Sequence, residues 1–187
     1  MMGDRYEGRA ADHRVHALRL AQELVALCSD CSVTVATAES CTAGMVASTI
    51  AGVPGASDVL RGGAVTYVNE VKHDLLGVSQ EVLDSVGAVS FACACQMAEG
   101  ARHVFGSSLA VSITGFAGPG GGTAEDPVGT VYIGIASRDG SRAERCHFEG
   151  DRDDVRAAAC RRACECLLSA AHELQAGGTV SFSFFGE

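Results

Sequence analysis

Residues 33–46 read VTVATAESCTAGMV. The first six are β-branched or small, and they predict a buried strand over 33–38. Small residues then lead a helix from about Thr42 to Ile50. A strand that passes into a helix through a short polar step is the opening of an α/β unit. The step leaves Ser40 and Cys41 at the turn. Either is a candidate nucleophile, since a hydroxyl or thiol at a helix N-terminus is well placed for activation. Ser40 is also a candidate helix N-cap, a role serine often fills.

Outward from this stretch the pattern repeats. Upstream, Val15, Leu18, Leu20, Leu24, Val25 and Leu27 fall at helical spacing and predict a helix over 13–29. Downstream, a loop over 51–59 precedes a strand over 62–68, GGAVTYV. A short helix follows and closes at Gly77, and Ser79 and Ser90 cap two further helices, the second over 91–105. SLAVSIT at 108–114 predicts another strand, and GFAGPGGGTAEDP after it is a glycine loop. The segments 128–137 and 142–150 flank RDGS and read as a hairpin. Asp151 or Asp153 caps a last helix, with Val155, Ala159, Ala163, Cys166, Leu167, Ala170 and Leu174 on one face and Gly177 and Gly178 at its end. The tail from 177 to 187 alternates apolar and polar residues. Strands alternating with helices and ending in a hairpin predict a mixed sheet with helices on both faces.

Composition bounds the function. With 187 residues the chain is the size of one domain. A net charge of −9 disfavours a broad nucleic-acid surface, so no nucleic-acid partner is expected. The charged N-terminus does not read as a signal peptide and no apolar run is long enough for a membrane span, so a cytoplasmic protein is expected. The 9 cysteines sit mostly among Ala and Leu, and their spacings, C-x3-C-x-C and C-x-C, do not match a zinc site. They read as reduced, small apolar residues, with no metal and no cofactor.

Of the 14 basic residues, one is lysine, Lys72, and the rest are arginine. Arginine keeps its proton in a protein, whereas a desolvated lysine can lose it. TYVNEVK places Tyr67 at a strand end and Lys72 in the next helical turn, while Ser40 ends another strand. Strand C-terminal ends share one crevice in a parallel α/β sheet. The pattern therefore brings a hydroxyl, an amine and a phenol toward one site, the parts of a Ser–Lys nucleophilic centre.

AESCTAG, RGGAVTYVNEVKHDLLGV, GAVS, SITGFAGPGGG and PVGTVYIGIA, in this order, resemble the CinA C-terminal domain family over about residues 12–172. They are most similar to its stand-alone nicotinamide-nucleotide amidases. The resemblance implies a three-layer α/β/α fold and hydrolysis of the carboxamide of nicotinamide mononucleotide. It also implies catalysis by Ser40, Lys72 and Tyr67, no metal, and a homo-oligomer. Ala43 departs from the glycine many members carry, a change that would narrow the pocket slightly. Ser40 would attack and neutral Lys72 would take its proton, its pKa lowered by burial and by the positive helix end. Backbone amides near Cys41, Thr42 and Ala43 would bind the oxyanion, Gly44 would contact the substrate beside them, and Tyr67 would hold the amine or relay a proton. The loop carrying Thr114, Gly115, Ala117, Gly118 and Gly120 offers amides for a phosphate, with Arg61 a second phosphate candidate or a plain surface arginine. Two other readings stay open: a non-catalytic module binding a nucleotide or a partner protein, and a thiol enzyme using Cys41.

Overall fold

A computed structural model describes residues 4–180. Its centre is a five-stranded sheet in the order β2-β1-β3-β4-β5. Strands β1 (Val35–Glu39), β2 (Leu60–Val65) and β3 (Leu109–Gly115) are parallel, and β4 (Thr130–Ser137) and β5 (Gly140–His147) continue antiparallel. Every residue of β1 and β4 is buried, as expected for strands covered on both faces.

The period-2 alternation of β1 divides the core in two. Val35 faces the layer made by α1 (Asp4–Cys31), α2 (Met45–Ala51) and α6 (Arg152–Gln175), together with Leu109, Val111, Ile113, Val131, Ile133 and Ile135. Ala36 and Ala38 face α3 (Asn69–Leu76), α4 (Gln80–Ser85) and α5 (Phe91–Phe105), with Leu76, Met97 and Ala101. The result is a three-layer α/β/α fold with a mixed sheet.

The longest helices differ from the sequence expectation in a consistent way. Helix α1 starts well before residue 13, and Val15 and Leu18, taken above as its apolar face, are exposed. Its buried seam is Ala17, Ala21, Leu24, Val25 and Cys28, spaced i, i+4, i+7, i+8 and i+11. It packs on α6, whose seam holds Ala159, Cys160, Ala163, Cys164 and Ala170. Small side chains on both helices let the axes approach closely, so the interface is alanine-rich rather than leucine-rich. Helix α6 opens with a capping box, Asp151 accepting from the amides of Asp153 and Asp154 while Asp154 accepts from the amide of Asp151.

Strand β2 ends at Val65, short of the 62–68 expected. The Thr66 amide still donates to the Glu39 carbonyl at 2.8 Å before the chain turns into α3. A Cβ on Gly100 would stand 2.0 Å from the Leu76 carbonyl, so only glycine lets α5 pass this close to the end of α3. That contact seats the buried face of α3, Lys72 and Leu76, against the sheet. Of the tail, 177–180 is not strand and Val180 is buried in the α1/α6 core; 181–187 lie outside the described residues.

Candidate active site

The turn between β1 and α2 carries the site. Glu39 pairs with Val65 on one side and Ile113 on the other, so Ser40 is flanked by Thr66 and Thr114 at the C-terminal ends of three parallel strands. Glu39 points toward α2; Ser40, one step later, is turned to the α3 side. Ser40 does not cap α2. The N-cap residue is Gly44, and the helix-start amides are taken by the buried Glu39 carboxylate: Gly44 at 2.9 Å, Val46 at 3.1 Å and Ala47 at 2.9 Å. This removes the N-cap alternative for Ser40. It also removes the positive helix end as a cause of any shift at Lys72, because a carboxylate already occupies it.

Lys72 is 1% exposed. Its Nζ lies 3.3 Å from Ser40 Oγ and donates to the Thr66 carbonyl at 2.6 Å. Burial lowers its pKa below the ordinary lysine value, with the neighbouring Cys93 and Cys41 thiols acting weakly the other way. A neutral amine in this position would donate to Thr66 and keep a lone pair for the Ser40 hydroxyl proton.

Tyr67 is not a hydrogen-bond partner of the amine. Its ring is half exposed, and its hydroxyl accepts from Arg152 Nη2 at 2.9 Å. The group that holds the amine is the Thr66 carbonyl, not the phenol, because β2 has ended before Tyr67. Cys41 is buried, and burial pushes its thiol up to about 11, which disfavours a thiolate nucleophile.

In the turn itself, the Ala43 amide donates to the Ser40 carbonyl at 3.0 Å and the Ser40 amide to Ile113. Of the three residues expected to supply oxyanion donors, Ala43 is therefore spent, and the Gly44 amide, expected beside the substrate, is held by Glu39. Among the described residues the Thr42 amide donates to no protein acceptor, and the Cys41 amide meets only its own thiol. Ala43 has φ 53° and its methyl group is exposed, so its departure from glycine strains the backbone rather than narrowing a pocket. Ala43→Gly is expected to stabilise the fold by up to about 1 kcal/mol, read as a higher denaturant midpoint.

The glycine loop rises from the same end of the sheet. Thr114 donates to the Ala88 carbonyl at 2.7 Å, Gly115 closes β3, Ala117 is buried, and Gly120 faces open space. The amides of Ala117, Gly118 and Gly120 have no acceptor among the described residues. Arg61 is not near them. It is the extra residue where β2 slips against Val35 and Ala36, at the opposite end of the parallel strands, and its side chain is exposed.

Two arginines at the start of α6, absent from the sequence reading, take that place. Arg152 ties the Gly118 carbonyl (2.7 Å) to Tyr67, and Arg156 reaches the carbonyls of Cys41 and Thr42. Their i, i+4 spacing just after the Asp151 cap was the available signal. A separate cavity of about 540 Å³ opens along β5, lined among others by Phe91, Ile135, Arg162 and Cys166; it shares no residue with this cluster. Among the described residues all cysteines are free thiols, no three His, Cys, Asp or Glu side chains are grouped to hold a metal, and no helix is long and apolar enough to cross a membrane.

The sequence profile of the CinA C-terminal domain matches residues 17–171. A CinA-like protein of Syntrophotalea carbinolica is 44% identical over 137 residues, 73% of this chain and 33% of that protein. A putative competence-damage inducible protein of Clostridium perfringens is 50% identical over 127 residues, 68% of this chain and 31% of that protein. The chain thus spans about a third of the length of these curated relatives. Among solved structures, the competence/damage inducible protein CihA from Agrobacterium tumefaciens superposes with a TM-score of 0.81 at 39% identity, covering 84% of this chain and 96% of that one. A CinA superfamily protein from Klebsiella pneumoniae gives 0.80 at 31% identity, covering 84% and 98%.

Proposed function

The chain belongs to the CinA C-terminal domain family, and from that premise we propose that it is an amidohydrolase converting nicotinamide mononucleotide to nicotinic acid mononucleotide and ammonia. The observation that carries this reading is the buried Lys72 amine at 3.3 Å from the Ser40 hydroxyl. Ser40 Oγ attacks the carboxamide carbon as its proton passes to Lys72 Nζ. The oxygen gains negative charge and is received by the amides of Cys41 and Thr42, where loss of one donor typically costs about 10²–10³ in rate. The C–N bond breaks as Lys72 returns the proton to the departing nitrogen, giving ammonia and a nicotinoyl ester on Ser40. Water then attacks the ester, Lys72 takes its proton and passes it to Ser40, and the acid leaves.

The pyridinium charge makes the carboxamide a better electrophile than that of a neutral amide. The phosphate is taken by the amides of Ala117, Gly118 and Gly120 beside Arg152, a local positive site on a chain of net charge −9. The test is ammonia release from nicotinamide mononucleotide by the purified chain without added metal, with free nicotinamide and the intact dinucleotide as controls. Ammonia from the mononucleotide in step with the acid product is expected. None from any of the three would overturn the reading.

A further inference from the structure

The turn that carries Ser40 is gripped on two sides by charged side chains that hydrogen-bond to neither Ser40 nor Lys72. Glu39 holds the amides of Gly44, Val46 and Ala47. From α6, Arg156 Nε donates to the Cys41 carbonyl at 2.9 Å and Nη2 to the Thr42 carbonyl at 3.1 Å. A planar fork holds two successive carbonyls in one fixed geometry, whereas an ammonium is a compact charge on a flexible stem that fixes neither direction.

The two unspent amides are tied to this grip through planar peptide units. The Cys41 carbonyl and the Thr42 N–H share one plane, so fixing the carbonyl aims the N–H the opposite way. The Thr42 carbonyl shares a plane with the Ala43 N–H, which donates to the Ser40 carbonyl. That carbonyl shares its plane with the Cys41 N–H. Arg156 therefore sets the Thr42 amide directly and the Cys41 amide through one hydrogen bond. A cation on the carbonyl also polarises the unit and strengthens its N–H as a donor. The turn needs such a hold, because Ala43 sits at φ 53° without the freedom of glycine.

We propose that Arg156 is a positioning residue that aims and polarises the Cys41 and Thr42 amides toward the oxyanion formed when Ser40 is acylated. The inference rests on the reading of Ser40 as the acylated nucleophile. Glu39 serves the other side of the turn, but it also caps α2, so Arg156 is the residue whose removal leaves that helix start intact.

The experiment compares wild type with Arg156→Met, Arg156→Lys and Arg156→Ala in two assays. The first is ammonia release from nicotinamide mononucleotide. The second is the burst of p-nitrophenolate from p-nitrophenyl acetate, in which the acetyl group passes to Ser40 Oγ and no nucleotide is recognised. Arg156→Met is expected to lower kcat and the burst rate about 10²-fold, with KM within about threefold of wild type. Arg156→Lys is expected to recover little. Guanidinium ion at non-denaturing concentration is expected to restore part of kcat to Arg156→Ala without moving its thermal midpoint, which a merely structural role would not allow. Rates in Arg156→Met within about threefold of wild type, or a raised KM with unchanged kcat, overturn the proposal. If wild type is acetylated but releases no ammonia, the substrate reading fails and the burst rates alone decide the role of Arg156. A wild type inert in both assays overturns both.

Discussion

Lys72→Met is expected to lose about 10²–10⁴ in kcat while remaining folded, the range associated with loss of a general base. Lys72→Arg should be equally impaired, because arginine keeps the charge and cannot give up the proton. The same substitution has a signature in stability. Burial lowers the folded pKa of Lys72, whereas the unfolded chain titrates at the ordinary lysine value of 10.5. Between those two values the unfolded state binds more protons than the folded state, so this group makes stability rise with pH. Below the folded pKa the cost of burying the charge is constant, and it fades as the pH approaches 10.5. Methionine has no proton to bind. The stability of Lys72→Met relative to wild type should therefore decline as the pH rises through that window, whatever the fixed cost of leaving the Thr66 carbonyl without its donor. Denaturation midpoints measured across alkaline pH check this, and a pH-independent difference would contradict it.

Ser40→Ala is expected to lose more, on the order of 10⁶ in kcat, as removal of the nucleophile does in serine hydrolases. It should cost almost nothing in stability. The cap of α2 is formed by Glu39 and the N-cap position is Gly44, so the serine side chain supports no helix start. A quenched reaction of wild type should carry the nicotinoyl mass on the peptide containing Ser40, and the variant should not. An active Ser40→Ala beside an inactive Cys41→Ala would transfer the chemistry to the thiol, against the burial that keeps Cys41 protonated.

Ser40 was legible as a candidate because it directly follows the buried strand β1, and Lys72 because the chain holds a single lysine. The parallel strands then bring the two together over a separation of 32 residues. Other parts were hidden for physical reasons. Arg156 meets the turn across a separation of 115 residues, and on its own helix it reads as a solvated arginine near an N-terminus. Glu39 lies at the end of an apolar strand, and only the fold of the turn reveals three amides around its carboxylate. Strand β2 begins at Leu60 and Arg61, two residues ahead of the expected span, and Thr66, Tyr67 and Val68 have strand-like side chains that lie beyond its end. On α1, Leu24 and Val25 are buried and Leu20 and Leu27 pack against the core as expected, whereas Val15 and Leu18 are exposed and Ala17, Ala21 and Cys28 complete the seam with side chains too small to give a strong apolar signal.

Because Lys72 is the only lysine, protein labelled with ¹⁵N-lysine gives one Nζ resonance, and its shift against pH reports this amine alone. The resonance is expected to move to the neutral-amine position with a midpoint below 10.5, and kcat/KM to rise over the same interval. An Nζ that stays protonated to pH 10.5 or beyond would mean that no uncharged amine faces the Ser40 hydroxyl under working conditions.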